Sequence, residues 1–179
     1  MKIILISGKA GSGKDTVAGI LKEHLISDGT PESKILVTHF ADLLKYIAAK
    51  FFGWNGVKDD AGRTLLQHLG TNVIREKNPN YWTDFIKSVL KLFENEWEYV
   101  FIPDTRFPNE VGEIVSNFEN VKVVRVNRPK NNILSETQQE HPSETALDDF
   151  KFDLVLENSF ETLDELSQYL RDMECEIYG

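Results

Sequence analysis

The stretch Ile3-Ile4-Leu5-Ile6-Ser7-Gly8-Lys9-Ala10-Gly11-Ser12-Gly13-Lys14-Asp15-Thr16 decides the fold. Ile3 to Ile6 is an apolar run of strand length. Val17, Ile20, Leu21 and Leu25 give the segment after it one apolar helical face, and Asp28-Gly29 supplies a stop. Between strand and helix, glycines let the backbone turn tightly so that successive N–H groups point at one phosphate group. The helix N-terminus adds positive dipole and Lys14 a full charge. This order of strand, Gly-x4-Gly-Lys turn and amphipathic helix reads as a phosphate-binding P-loop, with a nucleoside triphosphate as its natural ligand. The expected contacts are Gly8, Ala10, Gly11, Ser12, Gly13, Lys14, Asp15 and Thr16.

The residue after Lys14 is Asp15, where a Ser or Thr hydroxyl usually reaches Mg²⁺, and the hydroxyl follows one residue later at Thr16. This Lys-x-Thr order resembles the adenylate-kinase branch of P-loop enzymes, which implies that Thr16 touches a phosphate. Asp15 suits two roles: a hard-oxygen partner for Mg²⁺ or its waters, or a helix N-terminal carboxylate favoured by the dipole.

At 179 residues the chain is long enough for one well-buried core and too short for two ordinary domains, so one domain spanning 1–179 is expected. No apolar run approaches membrane-spanning length and the chain starts directly with a strand, from which a soluble, cytoplasmic protein with no membrane partner is expected. The single cysteine, Cys175, excludes an internal disulfide and a thiolate zinc cluster. A formal net charge of −9 argues against binding duplex nucleic acid, which rests on many Lys and Arg contacts to phosphates. An acidic protein that handles phosphates must gather its cations locally, and Lys9, Lys14, Lys45, Arg63, Arg75, Arg106, Arg128 and Lys130 are the available pool.

Strand-like runs at 2–6, 35–40, 99–103, 121–126 and 153–156 alternate with helical patterns at 15–27, 41–52, 62–69, 80–94, 109–117 and 160–174. Most of the runs are continuously apolar, as expected for strands covered on both faces. The fold class is therefore α/β: a three-layer P-loop fold with a mostly parallel five-stranded sheet flanked by helices. Ligands in such sheets sit at the carboxyl ends of the strands. Residues 53–62 read as a loop between helices within a helical insertion of about 41–97 on the acceptor side. Residues 128–152, polar throughout and lying between two strands, read as a lid.

The third strand ends in Pro103-Asp104-Thr105-Arg106, with Glu110 one helical turn on. An acidic residue at the end of an apolar strand is where P-loop enzymes hold Mg²⁺, and a guanidinium beside it can grip a phosphate. The alternative is that Asp104 caps the next helix and Arg106 pairs with Glu110. Asp42 and Lys45, where the second strand passes into a helix, suit a second substrate, or a helix cap and a surface lysine. Gln67, Gly70, Thr71 and Arg75 close one helix and begin the next segment. Trp82 suits either stacking on a nucleobase or the core. His141 has no second histidine or cysteine at ligand spacing, so zinc is not expected there. Arg128 and Asn158 are placed by chain position to approach ATP.

Together these segments resemble the bacteriophage deoxynucleoside monophosphate kinases, within the nucleoside-monophosphate-kinase group. The resemblance runs through Ser7 to Thr16, Leu66-Gln67-His68-Leu69-Gly70-Thr71, Tyr81-Trp82, Pro103 to Arg106 with Glu110, Val126-Asn127-Arg128-Pro129, His141-Pro142-Ser143-Glu144, and Asn158 before Phe160-Glu161-Thr162-Leu163. It implies transfer of the γ-phosphoryl group of ATP, with Mg²⁺, to a deoxynucleoside 5′-monophosphate. In that reading Lys14, Arg106 and Arg128 are catalytic and Asp15 and Asp104 serve the metal. The acceptor meets Asp42, Lys45, Gln67, Trp82, Arg106, Glu110, His141 and Glu144. The resemblance also implies a homodimer, and a host-cytoplasmic location if the gene is phage-encoded. The segment between Phe40 and Gly70 is shorter than in large phage enzymes, so base specificity does not carry over. Two alternatives stand beside this reading: a phosphomevalonate-kinase-like small-molecule kinase, and an ATP-binding switch that transfers nothing.

Overall fold

A computed structural model of the chain describes residues 1–129 and 139–179. Lys130 and the other residues up to 138, which fall within the expected lid, lie outside the described residues. Five strands form one sheet, β1 (Lys2–Ser7), β2 (Ile35–Val37), β3 (Tyr99–Thr105), β4 (Val121–Asn127) and β5 (Leu154–Glu157), in the spatial order β2-β3-β1-β4-β5. Every pairing is parallel. Side chains of β1 alternate between two cores. Ile3 and Leu5 face one that includes Phe40, Leu44, Trp82 and Ile114, while Ile4 and Ile6 face one that includes Val17, Leu21, Leu166 and Leu170. The sheet is thus the middle layer of three, as the apolar strands imply.

One outer layer holds α1 (Lys14–Ser27), α7 (Leu163–Asp172) and α8 (Glu174–Tyr178). The other holds α2 (Asp42–Phe52), α3 (Asp60–Gln67), α4 (Tyr81–Leu92) and α5 (Pro108–Val115). A short α6 (Pro142–Thr145) stands between β4 and β5. None of the described helices is long and apolar enough to cross a membrane.

Several boundaries differ from the sequence reading, each for a local reason. Thr38 N still donates to the Phe101 carbonyl of β3 at 3.0 Å, but β2 stops at Val37 because two carboxylates capture the N–H groups that follow. Asp42 accepts from His39 N at 2.8 Å, and Asp104 accepts from Phe40 N at 2.9 Å and Ala41 N at 3.0 Å. β3 runs on to Thr105, with a register shift against β1 between Leu5 and Ser7 where Pro103 has no N–H to offer. The helix expected to end near residue 69 instead continues from α3 as a π-helical stretch, His68–Arg75, so Gly70, Thr71 and Arg75 belong to one helical run. Gly70 permits this run to approach α2, since a Cβ there would meet Leu44 Cδ2 at 2.7 Å. The expected last helix is two helices, α7 opening on a capping box of Thr162 with Glu165, and α8 following Met173. Nor is the described part of the expected lid polar throughout: Leu147 is buried, and Phe150 and Phe152 pack on the same core.

Candidate active site

The turn after β1 is held in one conformation from beneath. Gly13 has φ 93°, and a Cβ there would lie 2.5 Å from the Asn158 amide nitrogen. A Cβ on Gly8 would meet both Ser12 Oγ and the Val126 carbonyl at 2.5 Å. Side chains are excluded at both positions by contact as well as by conformation. Asn158, at the end of β5, donates to the Ser12 carbonyl at 2.9 Å. Lys14 folds back into the loop, its Nζ donating to the carbonyls of Gly8 (2.7 Å) and Lys9 (2.9 Å). Burial, assisted by the nearby Arg106 charge, pushes the Lys14 pKa down to about 8. Ser12 Oγ is buried without a hydrogen-bond partner among the described residues. A buried orphan hydroxyl, the Ala10 N–H and an ammonium form a donor-rich cradle that a phosphate group fits.

This loop is one wall of a cavity of about 310 Å³ at the carboxyl ends of the strands, within the range of small-ligand sites. Ala10, Gly11, Lys14 and Asp15 form that wall. The segment from the end of β2 through α3 and its π-helical extension contributes His39, Lys45, Lys58, Arg63, Gln67 and Arg75, the end of β3 and start of α5 contribute Asp104, Arg106, Phe107 and Glu110 as the floor, and Glu144 comes from α6. On the floor, each Asp104 oxygen accepts one main-chain N–H at the start of α2, which leaves further lone pairs on both oxygens. Arg106 donates to the Ser143 carbonyl at 2.9 Å and pairs with Glu144. Glu110 is buried, pairs with Arg75, and accepts the main-chain N–H of Arg106 at 2.7 Å. Burial raises the Glu110 pKa, and the Arg75 charge opposes that shift. The Arg75 guanidinium also stands 4.1 Å over the Phe107 ring.

His39 ties two walls together. Its Nε2 stands 2.7 Å from Asp15 Oδ1 and its Nδ1 3.4 Å from Asp42 Oδ1. Burial alone would lower the imidazole pKa, but the two carboxylates outweigh it and raise the value to about 9. Asp42, in turn, is partly desolvated, yet its contacts to His39 and Lys45 hold its carboxyl well below the usual range. Mg²⁺ binds through one or two carboxylates while keeping several waters. The free lone pairs of Asp104 and the largely exposed Asp15 carboxylate fit that demand from two sides of the cavity.

Of the residues expected in the site, the cavity brings together Ala10, Gly11, Lys14, Asp15, Lys45, Gln67, Trp82, Asp104, Arg106, Glu110 and Glu144. Arg128 lines a second hollow of about 320 Å³ on the other side of the loop, with Lys9, Ser12, Arg125, Asn127 and Glu157. Gly8 and Gly13 are turn positions of the loop that line neither hollow, and Asn158 packs against the loop and shapes it. Thr16 is exposed and lines neither hollow. Three expected substrate contacts are occupied otherwise. Asp42 does not line the cavity and instead fixes His39 and Lys45. His141 caps α6, its Nδ1 accepting from Ser143 N at 3.2 Å. Trp82 is 2% exposed with its indole N–H on the Gly70 carbonyl, so it is a core wall and offers no open stacking face. Sequence reasoning missed His39, although its position just past β2 is where such sheets place ligand-facing residues.

The architecture and the glycine turn define a P-loop kinase fold. Solved structures similar over nearly the whole chain agree. An APS kinase from Mycobacterium tuberculosis has a TM-score of 0.53 at 15% identity, covering 97% of this chain and 96% of that one. A thymidylate kinase from Ehrlichia chaffeensis has a TM-score of 0.54 at 10% identity, covering 97% and 98%. The family model for deoxynucleotide monophosphate kinase matches residues 37–170, and the chain belongs to that family of nucleotide kinases. A search of curated proteins finds no match. The matched span begins after the P-loop, so the family match and the phosphate loop are independent observations.

Proposed function

We propose that the protein transfers the γ-phosphoryl group of ATP to a deoxynucleoside 5′-monophosphate, forming the diphosphate and ADP. The observation that carries this reading is a single cavity with the P-loop cradle on one wall and unpaired cations on the other. The Arg63 and Lys58 side chains form no hydrogen bond or ion pair among the described residues, the Lys58 charge acting on Asp15 only at a distance, whereas Arg75, Arg106 and Lys45 each hold a carboxylate. In an acidic protein, cations left uncompensated inside a cleft favour an incoming phosphate dianion. The donor phosphates then rest on the loop amides and Lys14, the donor nucleoside extends toward Arg128, and the acceptor phosphate sits between Lys14 and Arg63. Gln67, Thr71 and Phe107 line the remaining space where the acceptor nucleoside fits.

Phosphoryl transfer needs positioning and charge stabilisation more than covalent help, and the acceptor oxygen is already ionised. Arg106 neutralises charge on the transferring group and Lys14 holds the β and γ oxygens. Asp104 and Asp15 would hold Mg²⁺ through its waters, and the ion would supply neutralisation of the triphosphate. The homodimer implied by the resemblance belongs to the same proposal, with exposed Phe51, Phe52 and Leu92 as apolar groups it would cover. A sedimentation experiment giving only the monomer mass removes it.

The test of the reaction is a coupled ADP-release assay with ATP, Mg²⁺ and a panel of deoxynucleoside and ribonucleoside monophosphates. Turnover that depends on a deoxynucleoside monophosphate supports the reading. ADP release that is the same with and without every acceptor sinks it.

A further inference from the structure

Glu144 is a carboxylate in a place built for anions. Its Oε2 accepts the Ala10 N–H of the P-loop at 2.7 Å, and its Oε1 pairs with Arg106. The Glu144 side chain is only 5% exposed, and its negative charge is near enough to act on Lys14. A P-loop amide and a guanidinium on one carboxylate, with an ammonium near enough to act on its charge, are the donors that a phosphate oxygen requires. In a chain of net charge −9, burying a further carboxylate among them is unfavourable unless those donors compensate it.

Resting on the phosphate-loop reading above, we propose that Glu144 is a positioning residue that stands in for phosphate. In the nucleotide-free protein it occupies the Ala10 N–H and holds Arg106, and nucleotide phosphate displaces it. The exchange is close to balanced, because the incoming anion takes over the same donors while the carboxylate regains water. Fastening of α6 has other sources: Asp148 nearby pairs with Lys9 at 2.6 Å and with Arg125 at 3.1 Å. Two consequences follow from withholding Arg106. Donor affinity is lowered by an internal competitor, and donor binding itself frees Arg106 for the transferring group.

The experiment compares the full-length wild type with Glu144→Gln, which keeps the shape and removes the charge. The probe is inorganic tripolyphosphate, read by calorimetry. We expect Glu144→Gln to bind it about 10-fold more tightly, in line with the loss of one charge-assisted competitor. A role in packing alone predicts the opposite, weaker binding and lower activity. Wild type supplies a second measurement that needs no variant: tripolyphosphate alone should speed amide exchange in 143–146 as the Glu144 contacts are given up. Equal or weaker binding by folded Glu144→Gln, or unchanged or slowed exchange in wild type, overturns the proposal while leaving the phosphate loop intact. Absence of any tripolyphosphate binding by both proteins overturns the phosphate-loop reading and this proposal with it.

Discussion

The side-chain amide of Asn158 donates to the main-chain carbonyl of Ser12 at 2.9 Å, joining the end of β5 to the middle of the P-loop. The same nitrogen fills the space that a side chain on Gly13 would need. The loop that would receive phosphate is therefore shaped by a residue that lines neither hollow. Asn158→Leu leaves the Ser12 carbonyl buried and unpaired, a loss of about 1–3 kcal/mol in unfolding free energy. KM for ATP should rise several-fold while KM for the monophosphate stays within about twofold, since the loop serves one wall only. Equal rises in both constants would show that Asn158 supports the fold generally.

Lys14→Ala removes the ammonium from the loop. Its partners in the empty protein are the carbonyls of Gly8 and Lys9, the first in a buried bond, so stability should fall by about 1–3 kcal/mol while the far-UV CD spectrum is retained. Turnover should fall by about 10²-fold or more, the scale of losing a transition-state electrostatic contact. Near-normal turnover in a folded variant contradicts the assignment of the loop.

Arg106→Lys keeps the charge but loses the planar guanidinium, one nitrogen of which now donates to both the Ser143 carbonyl and Glu144 and the rest of which is open to a phosphate. We expect kcat to drop by about 10-fold or more with KM for ATP changed far less, the pattern of an interaction made mainly in the transition state. Full kcat in the lysine variant would move charge neutralisation to Lys14 and Arg128.

His39 gives the stability a defined pH dependence. Its folded pKa, raised to about 9 by Asp15 and Asp42, lies above the ordinary 6.5, so the folded state holds a proton that the unfolded chain gives up earlier. The contribution is complete below about pH 6.5 and is lost as pH rises through about 9. The gap in urea unfolding free energy between wild type and His39→Gln should therefore shrink across that window. A gap that is constant from pH 6 to 9.5 rejects the ion-paired histidine.

Much of the fold was legible in the sequence because its signals are local: five apolar runs, a glycine turn and helix stops. All five strands lie where those runs stand. What was not legible depends on partners distant along the chain. Nothing near Asp104 reveals that its carboxylate would end β2 by capturing Phe40 N and Ala41 N. The helical break expected near Gly70 is absent because Leu44 of α2 packs against that glycine. The site divides in the same way. The loop residues and Asp104-Thr105-Arg106 announced themselves by type and order. The engagement of Asp42 with His39, of Glu144 with Ala10 and of Asn158 with Ser12 are contacts between segments, which no single segment encodes.

The position of β1 in the sheet governs how the chain can assemble. It precedes both of its neighbours along the chain, yet it lies at the centre, with Lys2 beside Tyr99 and Ile3 beside Val121. No hairpin is available to it, and neither neighbour exists until most of the polypeptide has been synthesised. Long-range parallel pairing of this kind folds slowly. An emerging chain must therefore carry the apolar run Ile3 to Ile6 unpaired beyond residue 99, an interval in which chaperone capture or self-association competes with folding. The strand that carries the phosphate loop is thus the segment whose exposure during synthesis sets the yield of active protein.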